Sequence, residues 1–159
     1  MSRVQLALRV ADLEASVAFY SRLFGTGPAK RRPGYANFAI TEPPLKLVLL
    51  EGEPGEAGAP TVLDHLGIEV DSTDDVTSAA GRLATEGLAT LEEQDTACCY
   101  AVQDKVWVAG PGKEPWEVYV VKGDADNLGR QEDSACCCGP EAVQDPEPSA
   151  SPSTVRRRR

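Results

Sequence analysis

The segment VQLALRV, near the amino terminus, alternates strictly: Val4, Leu6, Leu8 and Val10 fall on one side, Gln5, Ala7 and Arg9 on the other. A period of two predicts a half-buried strand. Asp12 then fits a helix N-cap, and Leu13, Val17, Tyr20 and Leu23 or Phe24 recur at helical spacing until Gly25 ends the run. YANFAIT and LKLVLLE predict two further strands, separated by the turn-forming Pro43 and Pro44. Tyr20, Phe38 and Trp107 are read as core residues.

The second half repeats this plan. Shifted by 60 residues, Gln5 to Val10 overlies His65 to Val70, and Arg22-Leu23 overlies Arg82-Leu83. Near the end the offset becomes 71, so Lys46 overlies Glu117 and Gly52 overlies Gly123. The offsets differ by 11 residues, which predicts an insertion in the second copy between its helix and its last strand. Both copies read β-α-β-β-β, joined by the Gly- and Pro-rich GEPGEAGAPT. The expected fold class is therefore α+β: two βαβββ modules, residues 3–52 and 62–122, forming a curved mixed sheet around a central cleft. They make one domain over 1–123. Residues 124–159 are poor in large apolar side chains and rich in Pro and Ser, and read as a disordered tail holding Cys136, Cys137 and Cys138.

Composition narrows the function. A formal charge of −9, with no broad basic face before the final VRRRR, argues against nucleic-acid binding. No apolar run approaches the ~20 residues that span a bilayer, and the amino terminus lacks a basic-then-apolar leader. The expectation is a cytoplasmic protein with no membrane partner, a monomer or homodimer, whose five cysteines are thiols.

The segments LRVADLEASVAFYSRLFG, DHLGIEV and VWVAGPGKEPWEVYVV together resemble the vicinal oxygen chelate superfamily, the glyoxalase, bleomycin-resistance and extradiol dioxygenase proteins. That resemblance implies metal ligands at the start of each module's first strand and on each last strand, here Gln5, Lys46, His65 and Glu117. Strand alternation supports the placement, since His65 opposes Leu66 and Ile68, and Glu117 opposes Trp116 and Val118. An imidazole and a carboxylate are good divalent-metal donors and a neutral amide oxygen is a weaker one, whereas the Lys46 ammonium should not ligate. Gln5, His65 and Glu117 would leave coordination positions open for chemistry.

Cys98 and Cys99 lie in the predicted insertion. In a regular strand they would point to opposite faces, so the pair is expected in a loop, between a strand near residues 89–93 and the strand KVWVAG. Two soft sulfurs suit a thiophilic centre such as trivalent arsenic, which can keep its third bond to carbon. Capture by thiols releases their protons.

With DTACCYAVQDKVWVAGPGKEPWEVYVVKGD, the chain resembles the ArsI carbon–arsenic lyases and the related cadmium-induced CadI proteins. The resemblance implies Fe(II)- and O2-dependent cleavage of trivalent organoarsenicals such as methylarsenite and aromatic arsenicals to arsenite. It gives Cys98 and Cys99 the role of holding arsenic, and Tyr100 and Val102 that of shaping the pocket for the organic group. The alternatives are a non-catalytic thiol protein that binds Cd(II) or As(III), and a glyoxalase- or bleomycin-resistance-like protein. The residues themselves leave open the organic substituent, the native metal and the role of the tail cysteines.

Overall fold

The two predicted repeats fold as two β-α-β-β-β units in one sheet. The computed structural model describes residues 2–52 and 60–126. The first unit comprises β1 (Arg3–Val10), α1 (Leu13–Phe24), β2 (Lys30–Arg32), β3 (Tyr35–Ile40) and β4 (Leu45–Glu51). The second comprises β5 (Val62–Glu69), α2 (Thr73–Thr85), β6 (Thr90–Cys98), β7 (Ala101–Ala109) and β8 (Pro115–Asp124). Most of the linker, residues 53–59, and most of the expected tail, residues 127–159 with Cys136, Cys137 and Cys138, lie outside the described residues.

The eight strands run in the order β2-β3-β4-β1-β5-β8-β7-β6. Each unit pairs its first strand with its last in parallel, β1 with β4 and β5 with β8. The units join where β1 and β5 pair antiparallel. The two first strands therefore occupy the centre of the sheet, and residues that overlie each other in the repeat meet there.

Local chemistry starts and stops the helices as expected. The Asp12 carboxylate accepts from the Ala15 amide at 2.8 Å, and Gly25 ends α1 at φ 65°, a conformation that costs a glycine little. Ser72 caps α2 and accepts from the Asp75 amide. Both helices cover the outer face of the sheet. Leu13 and Val17 of α1 pack with Phe38, Leu47 and Leu49, while Val76, Ala80 and Leu83 of α2 pack with Val106, Val118 and Val120. Among the described residues no helix is long and apolar enough to cross a membrane.

The predicted insertion is not a loop. Where β2 and β3 have three and six residues, β6 and β7 have nine each, so the extra residues lengthen a hairpin. Its bulge at Glu93/Thr96 is braced by Asp104, whose buried carboxylate accepts from the Asp95 amide (2.8 Å), Thr73 Oγ1 (2.6 Å) and Lys122 Nζ.

Phe38 of β3 is fully buried against α1, whereas Phe19 of α1 is 56% exposed. Phe38→Ala should cost about 3–5 kcal/mol in urea unfolding, and Phe19→Ala under about 0.5 kcal/mol.

Candidate functional site

The sheet register builds the site. On the concave face, Gly67 of β5 sits between Gln5 of β1 and Glu117 of β8, and these continue to Lys46 of β4 and Trp107 of β7. One step along, Glu69 is opposite Arg3 and Tyr119, and Tyr119 is opposite Lys105. The missing side chain at Gly67 is what lets its neighbours converge. A Cβ there would lie 3.2 Å from Gln5 Cβ, Glu117 Cγ and Tyr119 Cε1, tighter than ordinary van der Waals contact.

Three polar atoms meet above this glycine. Gln5 Nε2 donates to Glu117 Oε1 at 2.8 Å and lies 3.0 Å from His65 Nε2, and His65 Nε2 is 3.4 Å from Glu117 Oε1. All three side chains are almost wholly buried. His65 is turned by Asp64, whose carboxylate lies 2.6 Å from Nδ1 and also pairs with Arg9. Adjacent strand residues should face opposite ways, but the register slips between Ala7 and Leu8. Ala7 stands opposite His65 and Leu8 opposite Leu63, which leaves Asp64 as an unopposed bulge residue beside the imidazole. A carboxylate on Nδ1 leaves Nε2 as the donor atom facing the triangle.

Charge is balanced inside the cleft. Burial alone would lower the His65 pKa, but hydrogen bonds to Asp64 and Glu117 and their charges raise it to about 9. Burial would raise that of Glu117, but Lys105, then His65, hold it at about 2. Lys105 Nζ is 2.9 Å from Glu117 Oε2 and 5.1 Å from the centre of the Trp107 ring. Burial opposes the Lys105 charge, yet the nearby Glu117 and Cys99 raise its pKa. Lys46, in the slot that would complete a fourth ligand, instead donates to Glu69 Oε2 and to the Tyr119 hydroxyl. As expected of an ammonium, it faces acceptors.

The cysteine pair occupies the hairpin tip rather than an irregular loop. Cys98 is the last residue of β6, and Cys99 (φ 54°) and Tyr100 (φ 60°) form the two-residue connection to Ala101. Two successive positive φ values define a type I′ turn, normally an Asn-Gly position, and side chains there cost on the order of 1 kcal/mol each. The turn breaks the strand alternation, so the two sulfurs lie side by side, 3.4 Å apart. A bonded pair would be about 2.05 Å apart, so this spacing is not a disulfide between them. Cys98 is disulfide-bonded, which corrects the reading of all five cysteines as thiols.

The tip crosses to the other unit. Tyr100 packs on Tyr35, Val48 and Leu50, its hydroxyl donates to the Pro33 carbonyl (3.1 Å), and Lys30 Nζ donates to the Tyr100 carbonyl (2.7 Å). Both sulfur residues and the Gln5, His65 and Glu117 side chains line one cleft of about 260 Å³, with Lys105, Trp107, Gln103, Tyr35 and Val48. Tyr100 and Val102 do not line it. Ala101 and Gln103 face the cleft, so alternation turns Val102 to the other side of β7, and the Tyr100 ring lies one layer behind Tyr35 and Val48.

Several site residues escape a sequence reading. Lys105 and Trp107 share the face of β7 opposite Val106 and Val108, an alternation visible in KVWV, yet nothing local says that this face meets Glu117. Trp107, read as core, packs edge-on to His65 at 5.5 Å. Three cleft residues keep buried polar atoms without a hydrogen-bond partner among the described residues, Arg3 Nε, Gln103 Oε1 and Trp107 Nε1. Such atoms favour a polar ligand.

Comparison with known proteins agrees with this architecture. The Glyoxalase/Bleomycin resistance protein/Dioxygenase superfamily matches residues 3–118. The chain is 74% identical over 137 residues to the trivalent organoarsenical cleaving enzyme of Thermomonospora curvata, covering 86% of this chain and 89% of that one. It is 57% identical to the cadmium-induced protein CadI of Mycobacterium tuberculosis, covering 90% and 97%. Among solved structures, an extradiol ring-cleaving dioxygenase from B. fuscum shares the fold with a TM-score of 0.55 at 21% identity, over 82% of this chain and 36% of that one. The chain belongs to the glyoxalase/bleomycin resistance protein/dioxygenase superfamily and, within it, to the branch of the trivalent organoarsenical cleaving enzymes and CadI proteins.

Proposed function

We propose that this protein is an enzyme that cleaves the carbon–arsenic bond of trivalent organoarsenicals, such as methylarsenite and aromatic arsenicals, to release arsenite in the cytoplasm, using Fe(II) and dioxygen. One observation carries the reading: a single cleft holds two sulfurs 3.4 Å apart together with the Gln5, His65 and Glu117 side chains. The relatives named for organoarsenical cleavage, at 74% and 33% identity, support the same chemistry.

The donor set fits a divalent metal. Neighbouring ligands at about 2.1 Å from an octahedral ion lie about 3.0 Å from one another. The triangle edges here, with the Gln5 amide nitrogen in the place its oxygen takes when the amide turns over, are 2.8, 3.0 and 3.4 Å. In this reading the third donor is the Gln5 amide, a neutral oxygen ligand. Gln5, His65 and Glu117 would hold the ion, which when bound supplies dioxygen activation at the positions that three protein donors leave open.

The chain's residues do the rest by positioning. Cys98 and Cys99, once reduced, each replace a hydroxyl on arsenic, and the thiol proton leaves with that hydroxyl as water. The Lys105 charge favours the Cys99 thiolate and holds Glu117 ionised. Two As–S bonds leave only the organic group on arsenic, and tethering it in the cleft makes the reaction intramolecular. The tip opens to admit substrate, breaking the Tyr100 and Lys30 contacts, and closes to exclude water. Tyr100 acts by anchoring the closed tip.

With methylarsenite, arsenite should form only when Fe(II), oxygen and a thiol reductant are all present; stoichiometric binding without turnover would defeat the proposal. Cys98→Ser and Cys99→Ser should each lower that rate at least about 100-fold while leaving Fe(II) affinity within about twofold. His65 is raised above its unfolded value, so its contribution to the metal-free chain is complete below about pH 6.5 and is lost as pH rises through about 9. Thermal unfolding of chelator-treated protein should therefore show Tm falling across that window, and His65→Gln should flatten the fall.

A further inference from the structure

Beneath the triangle, one proton has two claimants. The Tyr119 oxygen lies 2.6 Å from Gln5 Oε1 and 2.8 Å from Glu69 Oε2, and it already accepts from Lys46 Nζ at 3.1 Å. A tyrosine has one O–H to give. Glu69 stays an acceptor, since Lys46, Tyr119 and Arg3 lower its pKa against the effect of burial.

The conflict comes from which way the Gln5 amide faces. With Nε2 toward the triangle it donates to Glu117, but its oxygen then competes with Glu69 for the Tyr119 proton. Turning the amide over resolves this. Nε2 then donates to the Tyr119 oxygen, and the hydroxyl donates wholly to Glu69. The two ends of the amide are nearly the same size, so the turn changes hydrogen bonding and not packing. What opposes it is an amide oxygen brought beside the Glu117 carboxylate, a repulsion that a cation between them removes.

We propose that Tyr119 is a positioning residue that selects the metal-binding orientation of Gln5: its oxygen accepts the Gln5 amide hydrogen when a divalent cation enters, while its hydroxyl is held by Glu69. The inference rests on the reading that Gln5, His65 and Glu117 hold the metal. It explains how a neutral amide serves as a ligand here, and why the fourth slot is filled by Lys46, whose ammonium holds the Tyr119 oxygen and Glu69 in place.

Calorimetric titration of the full chain with Co(II) at fixed pH tests it. Tyr119→Phe should weaken binding about tenfold, in the range typical of an outer partner of a metal ligand. In a Gln5→Glu background the same change should cost less than about twofold, because a carboxylate presents oxygen whichever way it turns. Unaltered binding by Tyr119→Phe, or an equal loss in both backgrounds as a packing role would give, overturns the proposal. Glu69→Gln keeps the ring in place and carries the test if Tyr119→Phe does not fold; it should weaken Co(II) in the Gln5 chain and not in the Gln5→Glu chain. If His65→Ala binds Co(II) as tightly as the unaltered protein, the three-residue site itself is wrong and this inference falls with it.

Discussion

The organising constraint is the close approach of β1, β5 and β8 at Gly67. Backbone pairing sets neighbouring strands about 4.8 Å apart, so same-face side chains on three adjacent strands compete for one volume. Because the middle position has no side chain, Gln5 and Glu117 lean toward each other across it, and His65 meets them from the next position along β5. A polar triangle then sits at the centre of a sheet whose outer face is sealed by two helices.

Burying those groups is costly unless each finds a partner. The cleft answers with a network: Asp64 and Arg9 behind His65, Lys105 beside Glu117, and Lys46, Arg3 and Glu69 around Tyr119. Opposed charges keep Glu117 ionised and the His65 ring oriented.

The hairpin solves a different problem. Adjacent cysteines in a strand cannot face one target, and a flexible loop would not hold them within reach of a fixed site. A tight turn with both central residues in the left-handed region sets the sulfurs side by side at the end of a stiff β-ribbon. Its backbone strain is offset where Tyr100 docks against Tyr35 and the β2–β3 turn. The cleft is consequently built from both units, with the sulfurs carried by one and the tip's anchor by the other.

Much of this was legible along the chain. Alternation in VQLALRV and in the strand of His65 placed Gln5 and His65 on one face, Asp12 and Gly25 bounded the first helix, and the internal repeat implied that equivalent slots would meet. These are short-range properties, set by period and capping. The insertion's existence was also legible, but not its form, since nine-residue strands and a loop differ only in long-range pairing. Asp64 was hidden by a bulge that reverses the expected side-chain direction. Tyr119, Lys105 and Trp107 had ordinary strand contexts, and only the β5–β8–β7 register brought them to the triangle. The sequence by itself determined the periodic elements and the residues able to do chemistry. Tertiary structure decided which of them share a cleft, because register between strands distant in sequence is fixed by packing and hydrogen bonding that no local pattern encodes.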